Sequence, residues 1–184
     1  MIVVGIDPSL TCTGIGAIIL LDDNEIKFSF KAIKIKIKEF EPADKGENLF
    51  TRIDVITRET IKFIKFVEII YHRTPQAIYV EVPWQYKKRY GKTNTKSLMK
   101  LSFLVGAIVE TLKEKGYRVK PIPTGGGIPK KQAGYDLLKT NGFQFTPNKG
   151  YDDSDALIIA LFGGWFDGLI PKDLQKYKIT KGAT

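Results

Sequence analysis

The sequence Met1-Ile2-Val3-Val4-Gly5-Ile6-Asp7 is the stretch that decides the fold. Most of it is apolar, so it is predicted to form a strand buried on both faces. It ends on a carboxylate, and a buried charge requires a metal, a cationic partner or water. A turn over residues 8–14 and a second apolar run over residues 15–21 follow. The pattern predicts a hairpin in which Asp7 either lies at a functional site or caps an ordinary turn.

Composition places the chain among globular proteins that bind polyanions. With 184 residues, 43% of them hydrophobic and 27% charged, it is expected to form one domain. Lys and Arg number 29 against 20 Asp and Glu, a net charge of +9. Such an excess favours nucleic acid as a partner before an anionic membrane surface. The single cysteine, Cys12, excludes an internal disulfide and a cysteine-based zinc site, and it is predicted to pack as a small core residue.

Targeting and membrane segments are not expected. No basic segment with a cleavage site precedes a hydrophobic stretch. Apolar runs such as residues 156–166 are shorter than the ~20 residues that a membrane span needs. The chain is therefore expected to be soluble, in the cytoplasm or in the DNA compartment of a host cell or organelle.

The first half of the chain alternates between strand and helix patterns. Residues 26–37 have a period of two with lysines on one face, which predicts a strand with a bulge near Lys31-Ala32. These lysines either contact phosphates or form a solvated edge. Residues 48–71 have helical spacing, with Arg52 in the first turns, and residues 77–80 form a strand that ends on a second acid, Glu81.

A basic loop follows that strand. Residues 83–95 interleave aromatic rings with cations, among them Trp84, Lys87, Lys88 and Arg89. This mixture suits nucleic acid, because bases stack on rings and phosphates pair with cations. The alternative is a loop whose tryptophan folds back onto the core.

The helix predicted over residues 96–115 has two apolar stripes, more than a single buried face requires. Such a helix packs on its own sheet and on something else. A second copy of the chain is the simplest candidate.

The last third of the chain contains lysines and acids at helix starts. After a glycine loop at residues 124–127, a helix is predicted from Pro129, with Lys130 and Lys131 in its first turn. Cations there oppose the helix dipole, so they either contact phosphate or form a solvated pair. Asp152, Asp153 and Asp155 open an apolar helix. Capping explains one or two of them, and Asp152 and Asp155 would share a face. The basic segment 172–181 is expected to be frayed.

These elements predict an α/β sheet, antiparallel on one side and parallel on the other. Sites in such sheets form beyond the carboxyl ends of the strands, where Asp7 and Glu81 would lie. With Asp152 and Asp155 they would form an all-oxygen site that suits Mg²⁺ or Mn²⁺. Two such ions, ~3.5–4 Å apart, can clamp a phosphodiester while the basic loops hold the polyanion.

Three motifs resemble the RuvC family of Holliday junction resolvases, in the ribonuclease H-like nuclease superfamily. They are Gly5-Ile6-Asp7-Pro8 with Thr13-Gly14, Tyr79-Val80-Glu81, and Asp152-x-x-Asp155-Ala156-Leu157. The resemblance covers residues 1–165. It implies a ribonuclease H-like mixed five-stranded sheet flanked by helices, with a nuclease domain over residues 1–168 and a short basic tail over residues 169–184.

The resemblance also implies residue roles. Asp7, Glu81, Asp152 and Asp155 would be the catalytic metal ligands, holding Mg²⁺ with two ions per site. The family's catalytic lysine falls on Lys130, with Lys131 as a close rival. Trp84 would lie at the opened centre of the junction. The basic composition of the loop, and not the resemblance, adds Lys87, Lys88 and Arg89 as expected DNA contacts, and the first-turn position of Lys131 adds that lysine.

The activity implied is structure-specific, metal-dependent cleavage of branched DNA in recombination and repair. A homodimer formed through helix 96–115 would nick a four-way junction symmetrically, leaving 5′-phosphate and 3′-hydroxyl ends. The two sites of the dimer would match the two-fold symmetry of the junction.

Four departures from the family pattern leave substrate choice open. Asp153 is an extra acid, so either Asp152 or Asp153 is the third ligand. Trp84 replaces a smaller aromatic residue, residues 83–92 are unusually basic, and the segment 22–47 is long. A relative with these differences could cut branched or flapped DNA broadly.

Three other classes of protein share parts of this sequence pattern. ATP-binding proteins of the actin-like superfamily also open with a strand, an Asp and a hairpin, but Ser9 stands where their phosphate loop needs glycine, and they need about twice this length. A ribonuclease H-like nuclease acting on RNA is a second alternative. A non-catalytic junction-binding module is a third.

Overall fold

A computed structural model describes residues 1–21, 24–35, 47–83, 95–123 and 127–183. The elements in chain order are β1 (Ile2–Asp7), β2 (Cys12–Leu20), β3 (Glu25–Lys34), α1 (Glu47–Tyr71), β4 (Ala77–Val82), α2 (Thr95–Glu114), β5 (Val119–Pro123), α3 (Lys131–Thr140), α4 (Asp152–Phe166) and β6 (Lys178–Lys181).

The strands form one mixed sheet in the order β5-β4-β1-β2-β3-β6. The pairs β1–β2 and β2–β3 are antiparallel, and the pairs β1–β4, β4–β5 and β3–β6 are parallel. The predicted α/β sheet, antiparallel on one side and parallel on the other, is confirmed. The described part of the chain forms six strands instead of five, because β6 adds to the edge of the predicted sheet.

The extra strand comes from the basic tail. Residues 178–181 pair with residues 25–28 of β3, so the expectation that segment 172–181 is frayed is wrong. Ile179 is partly buried against the core behind the sheet, and Thr180 donates a hydrogen bond to Glu25 over 3.1 Å. The segment is basic in sequence, but it is ordered because it packs apolar surface on the core and pairs with the open edge of β3. The division of the chain at residue 168 stays a prediction.

Strand β3 has no bulge within its pairing to β2. The register runs without interruption from Cys12↔Lys34 to Leu20↔Ile26. The apparent shift in the sequence pattern arises because both faces of β3 contribute to a core. Phe28 packs on one face and Ile33 on the other, where helices cover the sheet.

Helices cover both faces of the sheet. Helices α1 and α2 pack together on one face, and α3 and α4 pack together on the other. The predicted helices at residues 48–71 and 96–115 are confirmed to within one residue at each end. No helix in the described ranges is both long and apolar enough to cross a membrane.

Helix α4 is buried almost all round and lies directly on β1 and β2. Two glycines permit this approach. A Cβ added at Gly5 would overlap the backbone of Ala156 and Ala160, and one added at Gly14 would overlap the carbonyl of Asp152. The glycines therefore let the first turn of α4 come close to the end of β1.

Candidate functional site

Two acids meet at the carboxyl edge of the sheet. Ile6 pairs with Val80 across the parallel strands β1 and β4, so Asp7 and Glu81 follow side by side. The Nζ of Lys130 donates hydrogen bonds to Asp7 Oδ1 over 3.0 Å and to Glu81 Oε2 over 2.8 Å. The two carboxylates and the ammonium are largely buried.

The electrostatics of this trio are unbalanced. Burial, together with the hydrogen bond to Glu81, raises the pKa of Asp7 to about 7 despite the nearby Lys130 charge. Burial alone would lower the pKa of Lys130, but the charges of Asp7 and Glu81 outweigh it and hold that pKa above its ordinary value. One ammonium does not fully compensate two buried carboxylates, so the site can accept further positive charge.

Lys131 has different partners from Lys130. Its backbone N–H donates to Asp155 Oδ1 over 2.7 Å, and its Nζ lies 3.0 Å from Asp155 Oδ2 and 2.9 Å from the carbonyl oxygen of Gly150. Asp155 is buried. Helix α3 begins at Lys131, not near Pro129 as predicted, and Lys130 precedes the helix in an extended conformation. The extended backbone directs Lys130 to the strands, while Lys131 holds α3 to α4.

Asp152 is held by an asparagine that sequence reasoning missed. Asn148 donates from Nδ2 to Asp152 Oδ2 over 3.2 Å, and its Oδ1 accepts from the Asp152 backbone N–H over 3.0 Å. Asn148 thus provides a hydrogen-bond acceptor for the first backbone N–H of α4, because the side chain of Tyr151 does not cap the helix. The only signal in the sequence is the turn-like run Thr146-Pro147-Asn148-Lys149-Gly150.

Asp153, the extra acid, is bound by backbone groups at and before the start of α4. It is buried, and its carboxylate accepts hydrogen bonds from the backbone N–H groups of Asn148 over 3.0 Å and Ser154 over 2.8 Å. These contacts fix the loop before α4. They favour Asp152 over Asp153 as the third ligand, which stays a prediction.

Cys12 lies near Asp152 and is not a core residue. It is only half-buried, so the prediction that it packs as a core residue is wrong. Burial raises the pKa of the thiol to about 12, and hydrogen bonding to Asp152 adds to the shift. The cause is topological, since β2 starts beside the first turn of α4.

The acids are of the chemical type that binds a divalent metal ion, but their side chains are not gathered closely around one point. Within the described ranges, no three His, Cys, Asp or Glu side chains lie close enough together to hold an ion. The ammonium groups of Lys130 and Lys131 supply the cationic partners instead. The candidate ligands all offer carboxylate oxygens, which Mg²⁺ and Mn²⁺ prefer. The charges of Asp7 and Asp152 both act to raise the pKa of Lys131, so their negative charges act on the same region. A divalent ion therefore suits these residues.

The predicted DNA contacts of the basic loop remain predictions. Trp84, Lys87, Lys88 and Arg89 lie outside the described residues. Lys131 is described, and its side chain is 60% exposed despite the pairing with Asp155.

Comparison with known proteins identifies the family. No protein-family model matches the chain. The protein named crossover junction endodeoxyribonuclease RuvC from Carboxydothermus hydrogenoformans is 30% identical over 166 residues, which cover 89% of this chain and 95% of that protein. The structure titled "T. thermophilus RuvC in complex with Holliday junction substrate" superposes with a TM-score of 0.62 at 21% identity, covering 92% of this chain and 96% of that one.

A viral enzyme has a more distant version of the fold. The structure of Fowlpox virus resolvase with substrate Holliday junction DNA has a TM-score of 0.52 at 13% identity, covering 93% of this chain and 100% of that one. Both structural likenesses show the shared fold. The sequence identity to the Carboxydothermus protein, sustained over nearly the whole of both chains, shows that this chain belongs to the RuvC family.

Proposed function

We propose that this protein is a metal-dependent endonuclease that resolves four-way DNA junctions by paired nicks, leaving 5′-phosphate and 3′-hydroxyl ends. The observation that carries the proposal is the buried trio of Asp7, Glu81 and Lys130 at the sheet edge of a RuvC-family chain. The relative from Carboxydothermus is named a crossover junction endodeoxyribonuclease. The Thermus thermophilus RuvC structure contains a Holliday junction substrate.

Four acids would hold the metal: Asp7, Glu81, Asp152 and Asp155. Mg²⁺ is the expected ion, Mn²⁺ a substitute, and two ions per site the expected number; bound there, they would activate water and stabilise the leaving oxygen. The unbalanced charge of the trio supports this assignment, because burial penalises the ionised form of Asp7 unless more positive charge is supplied.

Lys130 is the proposed catalytic lysine. It already lies within hydrogen-bond distance of two proposed ligands, whereas Lys131 is engaged by Asp155 and the Gly150 carbonyl. Lys130 orients Asp7 and Glu81 and offers its ammonium to a non-bridging phosphate oxygen. Lys131, with its exposed side chain, is proposed to contact DNA, as are Trp84, Lys87, Lys88 and Arg89.

The proposed assembly is a homodimer formed through α2. Leu104, Val105, Ile108 and Leu112 face the core of the chain. Another side of the helix exposes Met99 and Phe103, with 55% and 53% of their surface accessible, and Phe50 of α1 is 64% exposed. Met99 and Phe103 are four residues apart, so they lie on one side of α2, and neighbouring exposed apolar side chains favour a protein contact. Two copies would place two sites on one junction.

A cleavage assay with Mg²⁺ tests the activity. It compares a synthetic four-way junction with linear duplex, a flap and an RNA–DNA hybrid, and uses Asp7→Asn as the inactive control. Paired symmetric nicks in the junction alone are expected. Cutting of every branched form would indicate a broader nuclease, cutting of the hybrid an RNA-directed one, and tight junction binding without cutting a binding module.

Sedimentation of Phe103→Glu tests the dimer. A charge in the contact should yield monomers and convert paired nicks into single ones. Ile69→Glu is the matched control, since Ile69 is a 67% exposed apolar residue near the end of α1. A dimer that survives Phe103→Glu would contradict the proposed contact.

A further inference from the structure

A small cavity lies beside the turn that follows Asp7. Its volume is about 220 Å³, and it is lined by Leu10, Asn48, Leu49, Arg52 and Lys100. Leu10 belongs to the turn between β1 and β2, and the other residues lie in the first turns of α1 and α2. The cavity is smaller than the roughly 300 Å³ at which drug-sized sites begin. It therefore fits one chemical group and not a whole cofactor.

The described residues that line this cavity carry positive charge only. Arg52 and Lys100 line it, and no acid is among the described residues that do so. The Nε of Arg52 is buried without a hydrogen-bond partner. A buried donor on a charged group is costly to leave unpaired, so the cavity is suited to a ligand that brings a negative charge and acceptor oxygens.

The surroundings favour an anion as well. Helices α1 and α2 both begin at this end of the molecule, and the positive ends of their dipoles add to the local potential. Asn48 Oδ1 is also buried without a partner. Turning this amide by 180° presents its Nδ2 donor in place of the acceptor. The planar fork of an arginine matches two oxygens of one phosphate.

The position of the cavity near Asp7 indicates which kind of anion it would bind. Leu10 is three residues beyond Asp7, so the cavity flanks the carboxylate site, yet none of the four proposed metal ligands lines it. We infer that this cavity binds one backbone phosphate of the DNA strand being cut, away from the phosphate that reacts. The inference rests on the proposed function and adds Arg52 and Lys100 as residues that fix the register of the strand.

The first experiment measures DNA binding without cleavage. Junction affinity is determined in Ca²⁺ between about 50 and 200 mM salt for a variant that combines Arg52→Gln with Lys100→Gln. The slope of log affinity against log salt should fall by about 1, the value for one lost phosphate contact. The control combines Arg58→Gln with Lys115→Gln. It removes the same charge from exposed positions on α1 and just beyond α2, and it should keep the wild-type slope.

The second experiment locates the phosphate. Single methylphosphonates, which lack the charge, are placed in turn along one junction strand and along a linear duplex. Wild-type protein should lose affinity about 5- to 10-fold at one or two positions, as expected for loss of a charge-assisted contact. The variant of Arg52 and Lys100 should show no loss at those positions.

The outcomes separate this inference from the proposed function. A variant as sensitive as wild type at every methylphosphonate overturns the phosphate site. A lower melting temperature with an unchanged salt slope also overturns it, because Arg52 and Lys100 would then only stabilise the fold. Wild-type protein that cuts no junction overturns the proposed function, while the duplex scan still reports on the cavity.

Discussion

Two clusters of lysine and carboxylate groups contain the same chemistry in opposite proportions. At the sheet edge, one lysine, Lys130, serves two acids, Asp7 and Glu81. Between β3 and α1, one acid, Glu59, serves two lysines, with its oxygens 2.9 Å from Lys31 Nζ and 2.8 Å from Lys62 Nζ.

The pKa shifts of the two clusters go in opposite directions. Hydrogen bonds from Lys62 and Lys31 lower the pKa of Glu59 to about 2, whereas burial raises that of Asp7 to about 7. The Glu59 cluster is complete in itself and partly solvated. The Asp7 cluster is buried and lacks positive charge, which is the condition that a metal ion or a protonation relieves. Similar groups therefore form a structural contact in one place and a reactive site in the other.

Asp7→Asn should have the largest effect, since it removes one of the two carboxylates that make the Asp7 cluster differ from the Glu59 cluster. Cleavage should fall by more than about 100-fold, because removing even a residue that only supports a metal ligand costs about 10- to 100-fold. Junction binding should stay equal or become tighter. Cleavage and gel-shift assays measure both, with Asp54→Asn on α1 as control. Equal loss of cutting and binding would contradict the ligand role.

The same variant tests the sign of the pKa shift by its stability. A carboxyl whose folded pKa is raised loses stability as pH rises from its ordinary value of 3.8 through about 7. Metal-free Asp7→Asn should therefore melt no lower than wild type at pH 8. A clearly lower melting temperature would show that the ionised Asp7 stabilises the fold.

Gly14→Ala should come next, since it separates α4 from the sheet and leaves the Glu59 cluster untouched. The added methyl would overlap the carbonyl oxygen of Asp152 and would lie 2.7 Å from its carbonyl carbon. Overpacking of this kind costs typically 1–3 kcal/mol, and contact with backbone places Gly14 at the upper end. The free energy of unfolding measured in urea and the cleavage rate should both fall. Wild-type stability would contradict the close approach of α4.

Asp152→Asn and Asp153→Asn should separate metal binding from loop structure within one turn of α4. Asp153 accepts from two backbone N–H groups, so its variant should lower the free energy of unfolding by about 1–3 kcal/mol. The Asp152 variant should keep stability and lose Mg²⁺-dependent cleavage. Reversed results would make Asp153 the third ligand.

Glu59→Gln should have the smallest effect. Pairs as exposed as Lys62–Glu59 contribute about 0.2–1 kcal/mol. A lowered carboxyl pKa gives stability that is present above pH 4.5 and lost as pH falls toward about 2. Wild type and variant should thus converge in acid when unfolding is followed against pH. A constant difference at all pH values would show that the lost contribution is packing and not charge.

Much of the fold was predictable because it depends on local patterns. The apolar run before Asp7, the helical spacing of residues 48–71 and the two stripes of residues 96–115 are properties of neighbouring residues. The β6 strand was not predictable, because its order depends on the open edge of β3, about 150 positions away in sequence. The supposed bulge in β3 was wrong for a similar reason, since periodicity does not reveal that both faces are covered.

The candidate site divides in the same way. The sequence by itself indicated Asp7, Glu81, Asp152 and Asp155 as the candidate acids, because strand ends and helix starts are where such groups collect. Their role as metal ligands stays a prediction. Only the tertiary structure decided that Lys130 and Lys131 have separate partners, that Asn148 orients Asp152, and that Asp153 holds a loop. The physical reason is that pairing and burial depend on which distant backbones approach one another, and here two glycines on adjacent strands set how closely α4 can lie.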